Sequence, residues 1–144
     1  MPAYWDTCCL LKLYCRESDS ETYLTRLEQS SDAPISSSFA KTELFYAFQQ
    51  KAARGETSNT SAETLLKQFE EDVEAGHIEL APIGEDVFAD AREIARLCYL
   101  SEPQIFLRSL DGIHLGTARK LKCSELITCD RRMQAAAERI GLKH

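Results

Sequence analysis

Apolar positions along the chain recur in two rhythms, and each rhythm predicts an element. Tyr4-Trp5 reads as the end of a short strand that stops at Asp6. Thr7 then opens a helical run with Leu10, Leu11, Leu13 and Tyr14 as its apolar positions. Residues 18–30 form a more polar helix with Tyr23, Leu24 and Leu27 spaced for one buried face. Residues 33–36 suggest a second strand, and the serines at 36–38 offer N-caps for a helix from Phe39 to Arg54, ended by Gly55. Thr60-Ser61-Ala62-Glu63 has the form of a capping box opening a helix to Ala75, and Gly76 stops it. Residues 78–83 alternate as a third strand does. A helix over 85–100 puts Val87, Ala91, Ile94, Ala95 and Cys98 on one side. After a loop over 101–106, residues 109–121 read as helical with Leu110, Ile113, Ala118 and Leu121 at core spacing. Residues 126–129 form a last strand ending at Asp130, and a helix over 131–140 is capped by Gly141.

Short strands separated by helices imply an α/β fold, a parallel sheet with helices on its faces. Ligands of such sheets bind beyond the carboxyl ends of the strands. Asp6 and Asp130 are each the first acid after a predicted strand. The chain shows no internal repeat, low-complexity tract or linker, and its 144 residues suit one domain over 1–144.

Composition narrows the class. No apolar run approaches the ~20 residues of a membrane span, and the first residues lack the basic-then-apolar order of a secretory signal. Both features lead to the expectation of a cytoplasmic protein without a membrane partner. Six cysteines, at 8, 9, 15, 98, 123 and 129, lie mostly in apolar stretches and read as reduced core residues. With no Cys-x-x-Cys pair and three scattered histidines, spacing predicts no zinc site. The net charge of −6 disfavours a nucleic-acid partner until it is divided along the chain. Residues 1–107 carry 9 basic and 19 acidic side chains, whereas residues 108–144 carry 8 basic and 4 acidic. The last quarter can therefore offer phosphates a positive patch, or be an ordinary solvated face.

Four acids occupy unexpected places. Asp6 precedes a Leu-rich helix, Glu43 shares a helix face with Phe39 and Tyr46, Asp111 sits between Leu110 and Ile113, and Asp130 ends a strand. A carboxylate taken from water needs a partner or a metal. If the four converge, their repulsion demands a cation, and magnesium suits an oxygen-only donor set. Each acid also has a structural explanation. Asp6 and Asp130 suit helix N-caps, Asp111 a first-turn acid, and Glu43 a rim salt bridge. Thr7 and Thr128 flank two of the acids and can support the site by hydrogen-bonding a water or a phosphate, or serve as plain capping and strand hydroxyls. Arg131, Arg132 and Lys12 are candidates to hold phosphate oxygens, or simply solvated basic groups. His114 reads as a packed, hydrogen-bonded residue rather than a general base. The phosphate-loop, dinucleotide and nucleophile-elbow motifs are absent from the sequence.

These residues resemble the motifs of PIN-domain nucleases. Residues 6–14 are similar to the opening of that family, with an acid ending the first strand. Thr42-Glu43-Leu44 resembles the second acidic motif, residues 111–118 the third, and residues 128–133 with the alanines at 135–137 the fourth. Length and style are most similar to VapC-type toxins of bacterial toxin–antitoxin pairs. The resemblance implies a three-layer α/β/α sandwich with a mainly parallel sheet and cleavage of RNA dependent on Mg2+ or Mn2+. It further implies that Asp6, Glu43, Asp111 and Asp130 bind the metal, with a homodimer and a small antitoxin partner. Gly112 and Gly116 depart from the more usual alanine, and Arg132 stands where some relatives carry another acid. Competing readings are a PIN-type nuclease for RNA processing or DNA, and a non-catalytic module that holds a basic peptide in the acidic pocket.

Overall fold

In the computed structural model, which describes residues 2–144, four three-residue strands carry the sheet. They are β1 (Ala3–Trp5), β2 (Ile35–Ser37), β3 (Glu79–Ala81) and β4 (Glu125–Ile127). All neighbours are parallel, in the order β3-β2-β1-β4. The helices are α1 (Thr7–Tyr14), α2 (Ser20–Gln29), α3 (Ala40–Ala53), α4 (Ala62–Glu74), α5 (Glu85–Tyr99), α6 (Ser109–Lys120) and α7 (Arg131–Arg139).

Alternation along the strands builds the layers, because successive side chains leave opposite faces of a sheet. Tyr4 and Leu126 point into one core, shared with Ile94 and Cys98 of α5, Leu115 and Ala118 of α6, and Met133 of α7. Trp5 and Ile127 point into the other, shared with Cys9 and Leu10 of α1, Leu44 and Phe48 of α3, and Phe69 of α4. The result is the α/β/α sandwich. The strand order has a functional consequence. The chain moves outward from β1 to β2 and β3, then returns to place β4 on the other side of β1. The sheet therefore has its switch point between β1 and β4, where open α/β sheets leave a crevice. Asp6 and Asp130 follow those two strands.

Local details correct several expectations. The cap of α4 is Ser61, one residue later than the capping-box reading, and its hydroxyl accepts from the Thr64 amide at 3.1 Å. The serines at 36–38 do not cap α3. Phe39 occupies the cap position, and Ser36 and Ser37 are buried strand residues, with the Ser36 hydroxyl donating to the Trp5 carbonyl. β4 ends at Ile127, so Thr128 and Cys129 belong to the loop before α7.

The inward face of α6 also differs. Leu110 and Leu121 are exposed, while Ala118, buried as expected, shares its face with buried Asp111, His114 and Leu115. Their spacing of i, i+3, i+4 and i+7 is one helical stripe whose N-terminal end is polar. Gly116 explains why α6 lies so close to α5. A Cβ there would meet the Val87 carbonyl oxygen at 3.1 Å and the Ala91 nitrogen at 3.3 Å.

Candidate active site

The site is assembled from four segments that meet at the switch point. Asp6 follows β1, Glu43 lies in the first turn of α3, Asp111 in the first turn of α6, and Asp130 precedes α7. All four line one cleft of about 480 Å³, together with Thr7, Cys8, Leu11, Ala47, Arg108 and Cys129. Asp6 and Asp111 are each only 7% exposed. The structure thus gathers acids separated by more than a hundred residues of chain.

Each carboxylate keeps part of its acceptor capacity. Asp6 Oδ2 accepts from the Thr128 hydroxyl at 2.8 Å and from the Cys8 thiol at 3.3 Å. Asp111 Oδ2 accepts from Arg108 Nε at 3.1 Å. Glu43 Oε1 accepts from the Thr7 hydroxyl at 2.8 Å and is 2.6 Å from His114 Nε2. Among the described residues, Asp6 Oδ1, Asp111 Oδ1 and Glu43 Oε2 have no hydrogen-bond partner. Asp130 is different: its Oδ1 accepts from the Arg132 and Met133 amides at 2.8 and 3.3 Å, a helix cap. Oxygen-only donors with free lone pairs, half-shielded from water, are the set that a hard divalent cation takes.

A buried relay sits behind Glu43. His114 is 1% exposed, and its Nδ1 lies 2.6 Å from the Tyr4 hydroxyl. With Nε2 donating to Glu43, Nδ1 accepts from Tyr4, so both ring nitrogens are satisfied. Burial works against the imidazolium form. The Glu43 hydrogen bond and the charges of Glu43, Asp6 and Asp111 outweigh it and raise the His114 pKa.

The basic groups are placed unevenly. Arg108, which the sequence reading did not single out, bridges the site: beyond Asp111 it reaches Asp130 at 3.8 Å. Its signal was its position three residues before Asp111, where side chains of one helix face meet. Lys12 is turned to Asp19 at 2.8 Å and Glu17 at 3.5 Å, and does not line the cleft. Arg131 and Arg132 are exposed, and Arg132 lies 3.8 Å from Asp130. Two of the eight basic residues of the last quarter are engaged with acids of α5, through Arg119–Asp90 and Lys120–Asp86. Arg131, Lys122 and Lys143 have no acidic partner among the described residues.

Thiols form the remaining wall. Cys8 and Cys129 line the cleft, and Cys129 is exposed, unlike the core residue that the sequence suggested. Burial, then the contact with Cys8, pushes the Cys129 thiol up to about 12, so it is protonated at neutral pH.

The chain belongs to the PIN-domain family, whose model matches residues 3–139. It is similar to Ribonuclease VapC46 of Mycobacterium tuberculosis (strain ATCC 25618 / H37Rv), with 28% identity over 141 residues, covering 96% of this chain and 92% of that protein. Its fold is also that of Mycobacterium tuberculosis VapC20, a toxin that cleaves the sarcin–ricin loop. The TM-score is 0.72 at 11% identity, across 93% of this chain and 94% of that one.

Proposed function

We propose that this protein is a Mg2+- or Mn2+-dependent endoribonuclease, the toxin of a toxin–antitoxin pair. The observation that carries the reading is the convergence of Asp6, Glu43, Asp111 and Asp130 on one cleft in a chain of the PIN family. The name of the relative VapC46, a ribonuclease, supports RNA as the substrate class.

The residues present suit a divalent metal. Asp6 and Asp111 would hold it through oxygens that their neighbours leave free, with Asp130 and Glu43 completing the set. When bound, the ion supplies the positive charge and Lewis acidity that phosphodiester hydrolysis needs. Thr128 fixes Asp6 by its hydroxyl, so the carboxylate does not have to reorganise. Thr7 and His114 hold Glu43 Oε1, which would leave Oε2 as its donor to the metal. Arg108 is placed to meet a phosphate oxygen if substrate displaces it from Asp111. Arg131 and Arg132, exposed beside Asp130, would guide the RNA backbone. Lys12, already paired, would contribute less.

An antitoxin segment would cover the same region. Exposed Tyr46 and Leu110 line an apolar groove that shares Glu43 and Ala47 with the acidic cleft. Two copies of the chain would pair as a homodimer, which light scattering measures directly.

The test is cleavage of total RNA by the purified protein with magnesium, with manganese and with chelator, beside Asp6→Asn. Cuts that need metal and vanish in the variant are expected. A folded Asp6→Asn protein that cleaves at the wild-type rate would sink the assignment. No cleavage by the folded, partner-free protein under any metal would favour the binding-module reading, which does not require magnesium to bind.

A further inference from the structure

The sulfur atoms beside the carboxylate cleft make a second donor set of different chemistry. Cys8 Sγ lies 3.0 Å from Cys129 Sγ and 3.9 Å from Cys9 Sγ, and all three lie within 4.8 Å of one another. Cys8 and Cys9 come from the first turn of α1, and Cys129 from the loop after β4. The cluster exists only because β1 and β4 are neighbours in the sheet.

We propose that Cys8, Cys9 and Cys129 form a three-thiolate site for a thiophilic d10 cation, zinc or copper(I), on the wall of the carboxylate cleft. Geometry is the first argument. A point equidistant from three sulfurs so spaced lies roughly 2.0–2.4 Å from each, which brackets the ~2.3 Å of a zinc–thiolate bond. The cluster therefore accepts an ion with small side-chain movements. Hardness is the second argument. Three sulfurs select soft cations, whereas the carboxylates next to them select magnesium or manganese, so the two sites do not compete for one metal. Access is the third. Cys129 is exposed, Cys8 is half-buried and only Cys9 is enclosed, so an ion can enter from the cleft side. Each coordinating thiol gives its proton to solvent, as metal-bound thiols do. A fourth ligand, where zinc requires one, is water entering from the cleft.

Cadmium is the probe, because its thiolate complexes absorb in the ultraviolet and its carboxylate complexes do not. The full chain, reduced and metal-free, is titrated with cadmium in excess magnesium, without RNA, so binding is read independently of any nuclease activity. A charge-transfer band that saturates at one cadmium per chain is expected. Cys129→Ser, a change at an exposed position that leaves the core intact, should weaken binding at least tenfold, and Cys8→Ser should do the same. The thermal melt of each variant confirms that it is folded. No band in the folded, reduced protein would overturn the proposal. So would a band that Cys129→Ser leaves unchanged, because the ligands would then lie elsewhere. A Cys8–Cys129 bridge found by mass mapping in the protein as purified under reductant would overturn it too, in favour of a disulfide.

Discussion

Two junctions in this molecule share one plan and use it differently. At β1–α1 and at β4–α7, a buried strand ends and an aspartate stands at the cap position of the next helix. Asp130 caps in the ordinary way, giving Oδ1 to the amides of Arg132 and Met133. Asp6 makes no side-chain cap bond, although its backbone is extended and suited to one. Its carboxylate instead faces Thr128, Cys8 and the cleft. An N-cap aspartate has a local reason to be where it is. A nearly buried aspartate that its own helix does not use has none, and a buried charge without a local role is costly. The difference separates a carboxylate that caps its own helix from one turned to Thr128, Cys8 and the cleft.

The largest effect that sharpens this contrast is on activity. Asp6→Asn should reduce RNA cleavage by ~10³-fold or more, a loss of about 4 kcal/mol in transition-state stabilisation, with the melting temperature nearly unchanged. Asp130→Asn keeps a capping oxygen and loses only the charge, so it should cleave ~10-fold to 100-fold faster than Asp6→Asn. Equal losses in single-turnover assays of the two variants would erase the distinction between the junctions.

Thr128 ties the junctions together and is the next place to break them. Its hydroxyl donates to Asp6 Oδ2 at 2.8 Å and accepts from the Asp130 amide at 3.1 Å. Thr128→Val keeps the shape and removes both bonds, leaving a part-buried amide and a carboxylate oxygen short of a partner. The expected cost is about 1–3 kcal/mol in stability by denaturant titration, with a fall in cleavage of roughly 10-fold to 100-fold from the misplaced carboxylate. Thr128→Ser should restore most of both. A valine variant as active as the wild type would mean that Asp6 needs no such support.

How much of this was legible in the sequence depends on range. Helix α5 was read correctly, with Val87, Ile94 and Cys98 buried, because one periodic stripe dominates it. Helix α6 is legible only in part, because two stripes overlap there. Leu110, Ile113, Ala118 and Leu121 make the more hydrophobic one; Ala118 and the packed His114 are buried as expected, but Leu110 and Leu121 are exposed and the fold turns Asp111 and Leu115 inward. What decides between them is the partner surface: the relay from Tyr4 through His114 to Glu43 satisfies the polar end. The acids themselves stood out because each breaks a local pattern. Arg108 and the thiol cluster did not, since their meaning arises from contacts such as Cys8–Cys129 across 121 positions of chain. The charge excess of the last quarter was real in the sequence but is partly neutralised in space, by Asp86 and Asp90.

The cap of α7 provides a smaller test on the stability side. Asp130→Ala removes the bonds to the Arg132 and Met133 amides and should cost about 1 kcal/mol. Asp130→Asn should cost little, since asparagine caps as well as aspartate. Asp6→Ala should show no cap loss at all. Melting curves of the three, taken with chelator so that metal binding does not contribute, would reverse the comparison if Asp6→Ala proved the least stable.

The smallest expected effects lie on α6, which carries the third acid and belongs to neither junction. Gly112 and Gly116 face α5, yet they answer differently to an added methyl group. At Gly112 the nearest atoms are 3.7 Å from a new Cβ, an ordinary contact. Gly112→Ala should therefore stabilise the protein by up to ~1 kcal/mol through helix propensity. At Gly116 the neighbours at 3.1 and 3.3 Å are backbone atoms of α5, which cannot turn aside as a side chain can. Gly116→Ala should cost about 1 kcal/mol net, the crowding outweighing the propensity gain. It should also lower cleavage slightly, because any outward shift of α6 moves Asp111 away from Asp6. If instead Gly116→Ala stabilises the protein and leaves cleavage intact, the α5–α6 contact is not what sets the position of Asp111, and the first turn of α6 with Arg108 must hold it alone.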